Sequence, residues 1–344
     1  MKIDTMDSRT RKILFAVIES YIGIAAPVGS RYISKRYGFG LSSATIRNTM
    51  SDLEDLGFLS QPYASSGRIP TGMAYKFFVE SLLGQDRSQN SNLLSMLSDR
   101  ATDATASLDD FLAVISRLMS DCSHYMGVVL SRTAESSILR KIEFYSYKEN
   151  MIVAILLTEY GVVRHMIVES SGRLTQSDMN EISRYLNDEF AGSTLRDIKQ
   201  ALLEDVAEER VRCDTLKEKA KCLCKTVFSS INADIFISGM SELINLPDFD
   251  DIQKIKELSK TIDDKSLMIN LLDKILQSEG VQVFIGNDPL LEEKALSLVA
   301  STFYEKGKPF GVLGLIGPQR MDYANAISIV STSANFLSRQ LGFI

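Results

Sequence analysis

The sequence predicts a multidomain α+β protein, and three observations support that class. The 344 residues exceed the ~150 residues of a typical domain, so two or three domains are expected. Residues 9–69 show helical periodicity, interrupted twice, and then a strand, a turn and a returning strand. In the remainder, strand signals precede and follow a long helical block, which predicts one α/β domain interrupted by an insertion.

Composition excludes several classes of protein. With 45% hydrophobic and 24% charged residues, the chain has enough apolar material to form cores and is not disordered throughout. Its longest apolar runs, such as 151–157, fall far short of the ~20 residues that a membrane span needs. The stretch 13–26 is similar to the apolar part of a secretory signal, but Glu19 interrupts it. We therefore expect a cytoplasmic protein that contacts no membrane.

Neither a metal site nor an active site is predicted. The cysteines show no CxxC spacing and the histidines are too few to complete a zinc site; these residues are Cys122, Cys213, Cys222, Cys224, His124 and His165. Asp pairs at 109–110, 250–251 and 263–264 lack a partnering histidine, so helix caps and solvated faces explain them better. No nucleophile elbow or HExxH motif occurs. We expect reduced, packed thiols, no cofactor and no catalysis.

Charge is distributed unevenly along the chain. Residues 1–83, which we call the head, carry ten Lys and Arg against seven Asp and Glu, a net of +3, whereas the remainder carries −9. Basic surfaces often bind nucleic acid, but an ordinary solvated surface produces the same small excess. The pattern of residues, rather than the charge, therefore indicates the function.

Two helices are predicted at the start of the head. Apolar residues at spacings of three and four predict the first over 9–21. The second is expected to begin at Ser30, because a serine hydroxyl can cap free backbone N–H groups. It should end at Tyr37, since Gly38 and Gly40 follow.

A third helix is predicted over 42–56. Ser42 or Ser43 is expected to cap its start, and Gly57 suits the left-handed position past its end. At 100° per residue, one side of this helix is apolar and carries Ile46, Met50, Leu53 and Leu56. The opposite side is short and polar and carries Ala44, Arg47, Asn48 and Ser51.

The polar side has the chemistry of major-groove recognition. Arginine donates two hydrogen bonds to guanine, asparagine pairs with adenine, and an alanine or threonine methyl contacts thymine. An ordinary surface helix has a similar polar side, so this helix alone leaves both interpretations open. A β-hairpin follows, with strands at 58–59 and 68–69 around a tight loop. Three helices and then a hairpin is the order of a winged helix.

In a winged helix, the hairpin loop lies against the duplex. Arg68 would then contact phosphates or the minor groove, and the serines and backbone N–H groups of the loop would bind phosphate oxygens. Arg31 and Lys35 are also assigned to phosphate. The complete set of predicted DNA contacts is Ser30, Arg31, Lys35, Ser42, Ser43, Ala44, Thr45, Arg47, Asn48, Ser51, Ser65, Ser66, Gly67 and Arg68.

The rest of the chain alternates strand and helix signals. Residues 84–105 are polar at their start and are predicted to be a linker. Strands are expected at 125–130, 138–147, 151–157 and 162–168, helical blocks at 107–123, 176–231 and 251–277, and further strands at 281–285, 296–304 and 311–316 before a closing helix. GVLGLIG (311–317) could cradle a phosphate, but its spacing matches no phosphate-binding motif, which favours a buried strand.

Five strings resemble the family of heat-inducible transcription repressors called HrcA. They are PVGSRYI (27–33), SSATIRNTM (42–50), SSGRIPTGMAYKFFVE (65–80), ISGMSELINLPDF (237–249) and GVLGLIGPQRMDY (311–323). Their order and spread make the resemblance extend over nearly the whole chain. One departure is visible: Tyr63 and Ala64 stand where the family usually has His-Thr.

The resemblance implies a domain plan: a winged-helix domain at 1–83, a linker at 84–105, a GAF-like domain at 106–171 and 280–344, and an inserted, mainly helical dimerisation domain at 172–279. It also implies a homodimeric repressor of chaperone operons that binds the inverted repeat CIRCE and is released on heat shock. The chaperonin GroEL would help to maintain active repressor, although direct temperature sensing is an alternative.

Two other functions stay open at this stage. A small-molecule-gated regulator would share the head and use the GAF-like domain as its sensor. An interaction scaffold with a vestigial head would show no DNA sequence preference. The apolar stripe of the central helical block is equally ambiguous, because a dimer seam and a helix that covers its own core produce the same pattern at Leu202, Val206, Cys213, Leu216, Ala220, Leu223 and Val227.

Overall fold

The computed structural model describes residues 6–63, 66–83, 90–103, 108–131, 138–148, 151–158, 163–169, 174–204, 223, 227, 234–249, 274–276, 278–286 and 296–343. The chain divides into two compact units, of which the first comprises Met1–Leu130 with Ile235–Ile344 and the second Ser131–Asp234. Each unit combines helices with β-sheet. The mixed α and β class is therefore confirmed.

The head contains the three predicted helices and the hairpin. Its elements are α1 (Ser8–Ile24), α2 (Ser30–Arg36), α3 (Ser43–Asp55), β1 (Leu59–Ser60), β2 (Ile69–Pro70) and α4 (Gly72–Leu83). Strands β1 and β2 pair antiparallel. The predicted cap at Ser30 is wrong: Gly29 precedes the helix without a side-chain cap, and Ser30 is its first residue. The predicted cap at Ser42 is confirmed, since its hydroxyl accepts a hydrogen bond from the backbone N–H of Thr45.

The remaining elements follow in chain order. Helices α5 (Ser91–Asp103) and α6 (Leu108–Ser123) precede strands β3 (Met126–Ser131), β4 (Leu139–Lys148), β5 (Met151–Thr158) and β6 (Val163–Glu169). Next come α7 (Gln176–Phe190), α8 (Leu195–Glu204), β7 (Asp234–Ser238), α9 (Met240–Ile244) and a 3-10 turn at Pro247–Phe249. Strands β8 (Val281–Ile285), β9 (Leu296–Glu305) and β10 (Lys308–Pro318) lead to the closing helix α10 (Tyr323–Phe343).

In the first unit, the head and a five-stranded sheet share one hydrophobic core. The sheet has the order β7-β3-β10-β9-β8, and α10 packs along β9 with α5 and α6 beside it. Buried side chains form a continuous cluster from Ile18 and Leu53 in the head to Met119 and Val330 in the remainder of the unit. The head is thus packed against the sheet-containing part of its unit, which we call the body.

Helix α5 differs from the predicted linker at 84–105. The linker prediction was based on polar composition and is wrong for this segment. The polar residues lie on one exposed face of a helix, while Leu93 and Leu97 are buried on the other face. Asn90 caps the helix by accepting a hydrogen bond from the backbone N–H of Leu93, and its own N–H donates to Thr332 of α10. Residues 84–89 lie outside the described part of the chain.

Strand β10 confirms the buried-strand interpretation of the glycine-rich segment. It pairs antiparallel with β9 and is buried from Phe310 to Pro318. A Cβ on Gly311 would lie 2.5 Å from the ring of Phe303, and one on Gly317 would lie 2.9 Å from the ring of Tyr125. The glycines permit close packing at these positions rather than forming a phosphate loop.

The second unit is a three-stranded antiparallel sheet, β4-β5-β6, covered by α7. It spans Ser131–Asp234 and so both starts and ends earlier than the predicted insertion at 172–279. Strands β4, β5 and β6 pair with one another and not with the five-stranded sheet, whereas β7 belongs to the five-stranded sheet. Within the stripe of the central block, Leu223 and Val227 are buried in the core of this unit. At these two positions the stripe covers the unit's own core. The other five side chains of the stripe and almost all of the predicted helical block at 251–277 lie outside the described residues.

Among the helices that the structure describes, none combines the length and the apolar character needed to cross a membrane.

Candidate nucleic-acid interface

Helix α3 presents the predicted polar side to solvent. Ile46, Met50 and Leu53 are buried against the rest of the head. The exposed side carries Ala44, Thr45, Arg47 and Asn48. Leu56 departs from the predicted apolar side, with 42% exposure, because it lies past the last helical residue. The guanidinium and the carboxamide therefore stand side by side on an open helical surface.

The N-terminal end of α3 is fixed by side-chain bonds. The Ser42 hydroxyl lies 3.1 Å from the Thr45 amide nitrogen and 3.0 Å from the Thr45 hydroxyl. Free N–H groups at a helix start are normally satisfied in this way. Ser42 is exposed, whereas Ser43 and Ser51 are half-buried. The first turn, which precedes Arg47 and Asn48, is thus stabilised by its cap.

The hairpin loop is closed by Ser66. Its hydroxyl donates to the carbonyl oxygen of Tyr63 over 2.8 Å and accepts from the Tyr63 amide over 3.1 Å. The predicted role of Ser66 was phosphate binding, but its hydroxyl is engaged within the loop. Tyr63 is 76% exposed at the loop, and Ser65 lies outside the described residues.

Gly67 lies where the hairpin contacts the segment before α2. The backbones of Val28 and Arg68 exchange two hydrogen bonds of 2.9 Å. A Cβ on Gly67 would lie 2.5 Å from the Val28 backbone, closer than side-chain carbons pack. Glycine is therefore required here by close backbone approach, and the hairpin and α2 are held as one piece.

Arg68 is paired inside the head. Its Nε lies 2.7 Å from a carboxylate oxygen of Glu54, and the two side chains are 17% and 29% exposed. The N–H direction is unfavourable for a hydrogen bond, so charge attraction holds the contact. Arg68 was predicted to contact phosphates or the minor groove, whereas here its guanidinium pairs with the Glu54 carboxylate. Sequence reasoning missed Glu54, although its spacing of seven residues from Arg47 places both on one side of α3.

A cleft of about 220 Å³ brings several predicted residues together. Its walls come from the start of α2, the exposed side of α3 and the hairpin, and the lining residues are Val28, Gly29, Ser30, Arg47, Met50, Gln61, Ser66, Gly67 and Arg68. The lining includes two guanidinium groups, and the Glu54 carboxylate, which pairs with Arg68, offsets only one of them, so the cleft region stays positive. Gln61 was missed by sequence reasoning; its amide donates to the carbonyl oxygen of Ser66 over 3.1 Å and so stiffens the hairpin.

Helix α2 contributes exposed cations beside this cleft region. Arg31 and Lys35 are exposed and do not line the cleft. Arg36, which was not predicted, donates to the Tyr32 hydroxyl over 2.6 Å and lies over the ring of Tyr37. The hydrogen bond to Tyr32 raises the pKa of Arg36. The signal for this contact was present in the sequence, because residues four apart meet on one helical face.

Comparison with known proteins identifies relatives over almost the full length. The family model described as the HrcA protein C terminal domain matches residues 109–327. The heat-inducible transcription repressor HrcA of Thermodesulfovibrio yellowstonii is 36% identical over 344 residues, 98% of this chain and 99% of its own. That of Geobacter sulfurreducens is 36% identical over 340 residues, 98% of each chain. A crystal structure described only as a hypothetical protein shares the fold, with a TM-score of 0.65, 21% identity and coverage of 98% and 99%.

Proposed function

The chain belongs to the HrcA family of heat-inducible transcription repressors, and we propose that its head is a winged helix-turn-helix that reads operator DNA through α3. The protein is a heat-shock transcriptional repressor. In the proposed complex, the first turns of α3 enter the major groove, and Arg47 and Asn48 contact base edges. Ala44 and Thr45 are small enough to let the helix approach the bases closely.

The exposure of Arg47 and Asn48 on one face of a capped helix is the observation that carries this proposal. A bidentate contact from either side chain would contribute about 1–3 kcal/mol of discrimination against the wrong base. Arg31 and Lys35 would bind phosphates, which gives affinity and register without sequence preference. Arg68 is paired with Glu54, so it would contact a phosphate only when that ion pair opens.

The proposal extends to assembly and regulation. The repressor would act as a homodimer, because two-fold symmetry matches an inverted repeat such as CIRCE, with half-sites separated by multiples of ~10–10.5 bp. The body would be a GAF-like domain, and the second unit would belong to the dimerisation part. Linking two weakly basic heads raises their effective concentration at the operator. Heat would release the repressor when GroEL is diverted to unfolded proteins.

The decisive experiment compares binding to the inverted repeat with binding to a scrambled duplex of equal composition. Arg47→Ala and Asn48→Ala should each cost about 1–3 kcal/mol on the inverted repeat and little on the scrambled duplex. Lys35→Ala should weaken both complexes equally and reduce the salt dependence. Lys76→Ala, an exposed cation on α4, is the matched control. Equal losses on both duplexes for Arg47→Ala would contradict base recognition.

A further inference from the structure

Arg320 joins three segments that are far apart in the sequence. It follows β10, and it forms a two-point ion pair with Asp248 of the 3-10 turn, with N–O distances of 3.3 and 2.8 Å. The two side chains are 12% and 26% exposed. A third guanidinium nitrogen, Nη1, donates to the backbone carbonyl oxygen of Ile22 in the last turn of α1. Arg320 therefore bonds both to the 3-10 turn of the body and to α1 of the head.

The chemistry of this contact is specific to arginine. A planar guanidinium directs several N–H donors along fixed directions, whereas a lysine ammonium is a point charge on a flexible stem. Carbonyl groups in the last turn of a helix have no intrahelical partner and carry partial negative charge. Asp248 compensates the buried cation, so the guanidinium is oriented as well as neutralised.

The surrounding side chains fix the segment that carries Arg320. The Tyr125 hydroxyl accepts from the Asp322 amide over 2.8 Å, and the Tyr323 hydroxyl donates to the Gln319 carbonyl oxygen over 2.7 Å. The ring of Tyr323 lies 5.8 Å from the ring of Tyr75 in α4 of the head. Burial raises the pKa of Tyr323 well above its ordinary value, so this phenol stays neutral in the contact. The segment is thus bound on its body side and packed on its head side.

Three of the five strings that carry the family resemblance meet at this junction. Tyr75 belongs to 65–80, Asp248 to 237–249, and Arg320 with Tyr323 to 311–323. None of these residues lies on the exposed side of α3 or lines the cleft. Two of the strings, 237–249 and 311–323, thus have no part in the DNA contacts proposed above, yet both supply side chains to the contact between head and body.

We propose that Arg320 is a positioning residue for operator binding: through Asp248 and the Ile22 carbonyl it sets the orientation of the head on the body, and so the spacing of the two recognition helices. This inference rests on the proposed dimeric binding to an inverted repeat. When the head is fixed on the body, the second recognition helix lies at one distance from the first, and its effective concentration at the second half-site is high. When the head is loosened, that helix samples many distances and its effective concentration there falls. Arg320 would act on DNA only through α1.

The test measures binding of the full-length protein to inverted repeats whose central spacer is lengthened or shortened one base pair at a time, and to a duplex with one half-site. The wild type should show a sharp optimum of spacing. Arg320→Met should bind the optimal repeat about tenfold more weakly and show a flattened spacing profile, with half-site affinity within about twofold of wild type. Arg339→Met, which removes an exposed arginine of α10, should behave as wild type.

The outcomes separate this inference from the proposed function. If the wild type shows no preference for the inverted repeat over scrambled DNA, the proposed function fails. If the wild type has an optimum and Arg320→Met keeps the same profile, the positioning role is wrong. Equal weakening on the half-site and the repeat would mean a folding role and would also overturn it. Asp248→Asn, which keeps the size and removes the charge, gives the same measurement if Arg320→Met does not fold.

Discussion

Replacing Glu54 by glutamine removes the carboxylate that pairs with Arg68 while keeping the size of the side chain. The carboxylate oxygen lies 2.7 Å from Arg68 Nε, and both side chains are less than a third exposed. Removing one partner of a partly buried pair should cost about 1–3 kcal/mol, between the values for exposed and for buried pairs, so Glu54→Gln should be less stable but still folded. Its main effect should be on DNA, because Arg68 lines the positive cleft and would become available to a phosphate.

The expected change in the salt dependence of DNA binding follows from counterion release. Each additional phosphate contact steepens the dependence of log affinity on log salt by about 0.9. Between 50 and 200 mM salt, the variant should therefore lose about threefold more affinity than the wild type. The gain at low salt should occur equally on the inverted repeat and on scrambled duplex, because a phosphate contact carries no sequence information. Glu54 would thus increase specificity by suppressing binding to other DNA.

Fluorescence anisotropy with labelled duplexes at four salt concentrations measures this slope directly. The matched control is Glu80→Gln, since Glu80 is exposed on α4 and its replacement changes the net charge of the head by the same amount. If the slope steepens equally in both variants, the effect is due to the net charge of the head and not to the release of Arg68. A slope unchanged in Glu54→Gln would refute the idea that Glu54 competes with phosphate for Arg68.

Two further predictions concern the stability of the first unit and are measured by thermal and denaturant unfolding. Gly67→Ala should destabilise the protein by about 1–3 kcal/mol, because the added Cβ would lie 2.5 Å from backbone atoms of Val28. Gly23→Ala in α1, where the added Cβ has no neighbour within 4 Å beyond the adjacent residues and the helix's own backbone, should be neutral or stabilising by up to about 1 kcal/mol. Similar losses in both variants would contradict the packing argument. Tyr75→Phe should be neutral or stabilising by about 1 kcal/mol, because the buried Tyr75 hydroxyl has no hydrogen-bond partner among the described residues. A loss above about 1 kcal/mol would show that the hydroxyl has a partner.

Local sequence signals predicted the elements that depend on neighbouring residues. The first and third helices, the hairpin and the closing helix follow from apolar spacing, turn residues and caps within a few positions of each other. The exposed Arg47 and Asn48 follow from the angular position of each residue on α3. Strand β7 and helix α9 were missed, because five residues are too short for either periodicity to emerge.

Local residue patterns predict the secondary structure of the head, the polar side of α3 and, through five ordered strings, the resemblance to a repressor family. The order β7-β3-β10-β9-β8 follows only from the folded chain, since partners distant in sequence are chosen by the whole sheet and not by local pattern. Only the tertiary structure pairs Glu54 with Arg68 and Arg320 with Asp248 and Ile22. Charge pairing and hydrogen bonding act over a few ångströms in space, and those distances exist only after the chain has folded.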